Sequence, residues 1–218
     1  MNKLSLHFFF VTMAGICLLA NTANSTVWTE NDHGDAGQTL ASAQAVADGT
    51  DQITGWVTEP WADLFSFSWN GGAFEVSATG QQQNSSDELD TQLFLFDSDG
   101  YGISSNDDVD DDSIASFISL ATLSAGNYYL GISTYNTDPV DANGDLIFPN
   151  TRPGQYDPIT GVGPLNNWKG DGCYDNPNQG SYTITFNKPT APVPEPATML
   201  LFGTGLAGLA GLRKRNKK

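Results

Sequence analysis

Leu64-Phe65-Ser66-Phe67-Ser68-Trp69, Asn70-Gly71-Gly72 and Ala73-Phe74-Glu75-Val76-Ser77-Ala78 form the stretch that decides the fold. Successive side chains of a strand face opposite sides, so the first segment gathers Phe65, Phe67 and Trp69 on one face. By this phase Trp69 belongs to the core. The Asn-Gly-Gly triplet supplies residues that tolerate positive φ, and it predicts that the two flanks pair as a β-hairpin.

The same alternation predicts strands at Ile53–Val57, Gln92–Phe96, Tyr101–Ser105, Ala115–Leu120, Tyr128–Tyr135 and Tyr182–Asn187. A short helix is expected over Ala41–Ala47. Short strands separated by turn-rich joints, with no sustained helical period, give an all-β fold, an antiparallel β-sandwich of jelly-roll type. Residues 136–179 lose the alternation and become rich in Pro, Gly, Asn and Asp. So long an irregular segment is either a functional excursion or a mobile insertion, with Trp168 and Tyr174 as candidates for holding it to the sandwich.

Both ends of the chain differ from this body. Lys3 precedes the apolar run Leu4–Ala20, and the small residues of Ala20–Ser25 suit signal peptidase, so residues 1–25 read as a cleaved signal peptide. Cys17 follows the bulky Ile16 inside the apolar run, which argues against lipidation. At the far end Val193, Pro194, Glu195 and Pro196 precede the uncharged segment 197–212, and then Arg213, Lys214, Arg215, Lys217 and Lys218. As a helix, segment 197–212 would span roughly 24 Å, slightly less than a bilayer core of about 30 Å. Basic flanks resist translocation, so the expectation is a transmembrane helix with residues 213–218 as a cytoplasmic tail and the body outside. Residues 189–196 then form an extended linker. Gly203, Ala207 and Gly211 fall four apart, either as a helix-packing stripe or simply as small residues in a weak anchor.

The Pro-Glu-Pro motif, apolar segment and basic stop, in that order at the terminus, resemble the PEP-CTERM sorting signal of Gram-negative, exopolysaccharide-producing bacteria. The resemblance implies that an exosortase in the inner membrane recognises the motif, cleaves near it and passes the protein outward. The expected location is the inner membrane before sorting, then the cell surface or extracellular matrix.

Residues 26–192 carry 24 acidic and 3 basic residues, a net charge of −21. A body this acidic excludes nucleic acid as a partner, because phosphate binding needs a positive surface. Self-repulsion favours divalent cations, and Ca²⁺ prefers carboxylate and carbonyl oxygens, although acids also serve solubility alone. Cys173 is the only cysteine of the body, so no intramolecular disulfide forms.

The body, residues 26–188, has a resemblance of its own. Glu30-Asn31-Asp32, Asp63-Leu64-Phe65-Ser66-Phe67, Leu93-Phe94-Leu95-Phe96-Asp97 with Gly100, Asn106-Asp107-Asp108 and Ser124-Ala125-Gly126-Asn127-Tyr128-Tyr129-Leu130 are similar to the bacterial pre-peptidase C-terminal domain. Gly180-Ser181-Tyr182-Thr183-Ile184 resembles its final strand, and the long insertion departs from its compact pattern. The resemblance implies a β-sandwich with a Ca²⁺ site at Glu30, Asn31, Asp32 and Asp63. Seven aspartates also crowd residues 97–112, but Asp97-Ser98-Asp99-Gly100 fails the EF-hand pattern. Adjacent strand side chains point apart, so Asp107 to Asp112 reads as a solvated acidic loop.

Catalysis is not expected. His33 is the only histidine of the body, and neither a Gly-x-Ser-x-Gly elbow nor a His-Glu-x-x-His zinc motif occurs. Among the aromatic residues Trp56, Trp61, Trp69, Trp168, Tyr101 and Tyr135, the candidates for stacking on a sugar are Trp61, after Pro60, and Trp168, in the insertion. Packing is the competing role for each. The sequence thus predicts an exported, non-enzymatic surface or extracellular-matrix protein. The alternative is a Ca²⁺-dependent glycan- or protein-binding module with exopolysaccharide as a natural ligand.

Overall fold

Alternation along residues 62–82 and 116–134 builds two strands much longer than the local signals suggest. The computed structural model describes residues 25–151, 153–170 and 179–187. In chain order they form β1 (Val27–Thr29), a 3-10 turn (Glu30–Asp32), β2 (Gln44–Ala45), β3 (Gln52–Val57), β4 (Ala62–Gln82) and β5 (Thr91–Phe96). There follow β6 (Gly102–Asn106), β7 (Ser116–Thr134), β8 (Thr137–Val140), β9 (Gln155–Tyr156), β10 (Asn167–Gly170) and β11 (Gly180–Phe186). The signal-peptide, linker, sorting-motif, membrane-helix and basic-tail readings lie outside the described residues, as do Cys173 and Tyr174. Among the described residues no helix is long and apolar enough to cross a membrane.

The expected hairpin does not form. Residues 62–70 of β4 pair with residues 125–133 of β7, and residues 74–78 of β4 pair with residues 116–120 of β7. Gly71 and Gly72, at φ 88° and 103°, mark a corner within one strand, and the register shifts between Gly72 and Phe74. That shift moves the inward face from Phe65 and Phe67 to Phe74 and Val76. The bend is sharp: the rings of Phe67 and Phe74 stack with centroids 5.9 Å apart, whereas seven residues of straight strand cover about 23 Å. The Asn-Gly-Gly signal marks a change of direction correctly. What it cannot determine is the partner, because β7 bends alongside and takes the hydrogen bonds of both halves.

The folded β4–β7 ribbon gives two layers. Strand order in the main sheet is β1-β3-β11-β4-β7-β5-β6-β9, with β2 on β4. Residues 76–82 of β4 pair with β11, whereas residues 129–134 of β7 pair with β5. The pairs β1–β3 and β2–β4 are parallel, which departs from the wholly antiparallel expectation. Residues 41–47 form a turn and β2 rather than a helix, because Val46 N–H bonds the Ser66 carbonyl of β4 at 2.9 Å. Between the layers lies a core that includes Phe65, Phe74, Val76, Leu93, Leu130 and Ile184.

A second core explains the irregular insertion. Ile147, Phe148 and Leu165 cover Leu64, Phe94 and Phe96 on the outer face of the β4–β5 layer. Strand β5 is therefore buried at every position. Trp168 holds the cover down, with its ring 5.5 Å from Phe94 and its indole N–H donating to the Gln38 carbonyl at 2.8 Å. Asp141 ties the loop from within. Its carboxylate accepts the N–H groups of Asn143, Asp145 and Gly163 at 2.8, 3.1 and 3.1 Å. These bonds, the Gly163 bond foremost, hold its carboxyl below the usual carboxylate range. The described part of the insertion is thus packed.

Candidate functional site

Strand phase places a carboxylate where a core residue is expected. Asp63 shares the inward face of β4 with Phe65 and Phe67 and is 1% exposed. Glu30, equally buried at 1%, enters from the 3-10 turn that follows β1. Since β1 runs parallel to β3 with Thr29 opposite Thr54, Glu30 comes beside Gly55. Tyr182 of β11, also opposite Gly55, completes the floor.

The hydrogen bonds are arranged around Glu30. Its Oε1 accepts Ala36 N–H at 2.9 Å, and its Oε2 accepts Trp56 N–H at 2.9 Å and the Tyr182 hydroxyl at 3.3 Å. A Cβ at residue 55 would collide with Tyr182 Oη and Glu30 Oε2, so only glycine leaves the space. Asp63 Oδ2, by contrast, is buried with no hydrogen-bond partner among the described residues. Burial first, and then the charge of Glu30, push the Asp63 carboxyl well above the usual carboxylate range, and the nearby Tyr182 hydroxyl offsets only part of that rise. Burial also raises the Tyr182 phenol, which stays a neutral donor.

The exposed Asp35 joins this pair, and one carboxylate oxygen from each of Glu30, Asp35 and Asp63 lies within 4.8 Å of the others. Two ligands on opposite sides of one Ca²⁺, each at about 2.4 Å, stand no farther apart than this. Of the expected quartet, the structure brings Glu30 and Asp63 together. Asn31 and Asp32 sit exposed on the 3-10 turn, and Asp32 is not one of the clustered carboxylates. Asp35, Gly55 and Tyr182 escaped the sequence reading. The only local hint was that Asp35 continues the acidic stretch of Glu30 and Asp32.

The Asp107–Asp112 run is not uniformly solvated. Asp107 and Asp108 are 7% and 6% exposed, while residues 110–112 are exposed. Alternation fails because both residues follow the end of β6, in a loop fastened by Asn106 Nδ2 and Gly154 N–H on the Asp108 carbonyl at 3.1 and 2.9 Å. With Asp90 they form a second group of carboxylates close enough to share a cation.

Other candidates stand apart from both groups. His33 stacks on Trp28 at 3.8 Å and donates its Nδ1–H to the Thr29 carbonyl at 3.1 Å. Trp61 is half-buried in the turn before β4, at φ 72°. Trp168, also half-buried, serves the packing described above. Trp69 is not fully in the core: it is half-buried and lines a cavity of about 430 Å³ with Phe67 and Phe186.

Residues 192–215 match the PEP-CTERM protein-sorting motif, and the chain is therefore a sorted protein with a β-rich body. The motif implies export and processing by an exosortase. Among solved structures, the chain is similar to the pre-peptidase C-terminal domain of collagenase from Bacillus anthracis, at 9% identity and TM-score 0.33, over 77% of this chain and 100% of that one. It is also similar to PliG of Aeromonas hydrophila, a periplasmic inhibitor of g-type lysozyme, at 13% identity and TM-score 0.27, over 75% and 100% of the two chains. No curated protein matches the chain.

Proposed function

We propose that this chain is a non-enzymatic protein of the cell surface or extracellular matrix of a Gram-negative bacterium, released outward from an inner-membrane anchor. Its jelly-roll body is closed by Ca²⁺ held at Glu30, Asp35 and Asp63. The sorting motif at residues 192–215 supports the route. One observation carries the metal: Asp63 is 1% exposed on a core-facing strand position, beside a second buried carboxylate. An ionised carboxylate in such a place costs several kcal/mol unless a cation or a proton neutralises it. Asp35, exposed at the mouth, gives the ion a route from solvent.

Two experiments test the two halves. In an exosortase-bearing host, deletion of residues 193–196 should hold the protein in the membrane fraction, and unchanged release would remove the sorting reading. In calorimetry of the mature chain, Ca²⁺ should raise the melting temperature above that in EGTA, and Asp63→Ala should abolish the increment. An unchanged melting temperature removes the metal.

A further inference from the structure

The walls of the cavity beside Trp69 differ in chemistry from the rest of the body. The cavity of about 430 Å³ lies at the β4 corner, with Phe67, Trp69 and Phe186 as its aromatic walls. A second hollow of about 370 Å³ adjoins it, since Val46, Phe67 and Ser68 line both. Each falls within the roughly 300–1,000 Å³ typical of small-molecule sites. The first is mainly apolar. The second is bordered by hydroxyl and amide groups, among them Ser66, Asn127 and Tyr129.

No residue lining either hollow is charged. Acids make up 24 of residues 26–192, about one in seven, so this groove is a neutral strip on a strongly anionic body. A polyanion would meet the repulsion of that body with no cation in the groove to receive it. A cationic ligand would find no carboxylate among the lining residues, the adjoining ones being Asp48, between Ala47 and Gly49, and Asp97 and Asp99, on either side of Ser98. The complementary ligand is uncharged, offers an apolar face to the rings and carries hydroxyls for the polar end. A pyranose has all three properties, and aromatic side chains with a polar tip suit such ligands.

We infer that the groove formed by Trp69, Phe67, Phe186, Ser68, Asn70 and Asn127 is a binding site for neutral oligosaccharides. This site is independent of the Ca²⁺ cluster. It also differs from the sugar-stacking role expected of Trp61 and Trp168. Ser68 and Asn127, joined by a 3.0 Å hydrogen bond, form the rim at which the ligand hydroxyls exchange partners.

The test applies the full chain, in detergent, to an array of neutral gluco-, manno- and galacto-oligosaccharides. The array also carries uronic-acid oligosaccharides and a peptide copying residues 189–194. The expected result is binding of at least one neutral series with a change in tryptophan fluorescence. Trp69→Ala should weaken it at least tenfold. Asn70→Asp, an exposed substitution that leaves the core intact, should also weaken it several-fold by placing an anion at the groove. The inference is overturned if no neutral sugar binds, if uronic-acid oligosaccharides bind better, if only the peptide binds, or if both variants bind sugar as the parent does.

Discussion

Glu30 and Asp63 bring carboxylate oxygens within 4.8 Å of each other in the sandwich interior, although they arrive from opposite layers and lie 1% exposed. Glu30 takes three donors, whereas Asp63 Oδ2 takes none. The first holds the entrance of the chain against β3 and β11. The second is where a proton or a cation must reside.

This asymmetry sets a pH dependence. The folded Asp63 carboxyl titrates well above its unfolded value, so its contribution is complete below about pH 4 and is lost as pH rises through the folded value. Asp138, raised by burial to about 6, acts in the same direction between about pH 4 and 6. In EGTA the melting temperature should therefore fall as pH is raised from 4 towards 8. Saturating Ca²⁺ should flatten the fall, because the ion replaces the proton at Asp63. A pH profile identical with and without Ca²⁺ would falsify the assignment.

Asp63→Asn separates charge from shape. The amide keeps the volume and cannot ionise, so at a pH above the folded Asp63 titration the metal-free protein should gain about 1–3 kcal/mol in a denaturant titration. Its response to Ca²⁺ should disappear. A variant that is less stable than the parent in EGTA would show that the carboxylate is already neutralised within the fold.

Gly55→Ala examines the cluster from the other side. The added methyl collides with Tyr182 Oη and Glu30 Oε2, and relieving it should cost about 1–3 kcal/mol by displacing the Glu30 side chain. Ca²⁺ affinity should fall in the same variant, as read by calorimetric titration. Normal affinity in a destabilised protein would detach Glu30 from the metal.

What the sequence could reveal here followed the range of each signal. Alternation is local, and it located β3, β5 and β6 to within a residue, but only the inner parts of β4 and β7, whose pairing runs on through residues 79–82 and 121–127. Pairing is not local, so Asn70-Gly71-Gly72 read as a hairpin although each flank finds β7. Strand phase could have placed Asp63 beside Phe65 in the core, but nothing in sequence tells that the hydroxyl of Tyr182, 152 positions beyond Glu30, bonds the Glu30 carboxylate there. Asn31 and Asp32 were expected in the site through the family resemblance of Glu30-Asn31-Asp32, and both are exposed on the 3-10 turn. The insertion lacked any period because its apolar residues Ile147, Phe148, Leu165 and Trp168 cover a sheet from loops rather than from one regular element.

The stacking across the corner offers a test of the folded-over ribbon. Phe67 and Phe74 touch at 5.9 Å only because β4 bends at Gly71 and Gly72. A double-mutant cycle of Phe67→Leu and Phe74→Leu should yield a coupling of about 0.5–1.5 kcal/mol. Additive effects would place the rings apart and remove the corner.

Trp168 joins the insertion to the sandwich through three contacts that do not depend on any ligand. Its ring meets Phe94 edge-on at 5.5 Å, its N–H bonds the Gln38 carbonyl at 2.8 Å, and its far edge lies over Gly131, where a Cβ would come within 2.8 Å. Trp168→Ala removes all three, and since the indole is half-buried the cost should stay below the roughly 3–5 kcal/mol of a fully buried ring. The loss should be regional: hydrogen exchange should quicken in residues 137–170 and in β5, which the insertion covers, while residues 72–82 of β4 and β11 keep their protection. Gly131→Ala should reproduce the pattern more weakly by lifting the ring. Because Trp168 is not among the residues lining the Trp69 groove, saccharide binding should survive either substitution. Uniform loss of protection across both layers would instead mean that the insertion and the sandwich unfold as one unit.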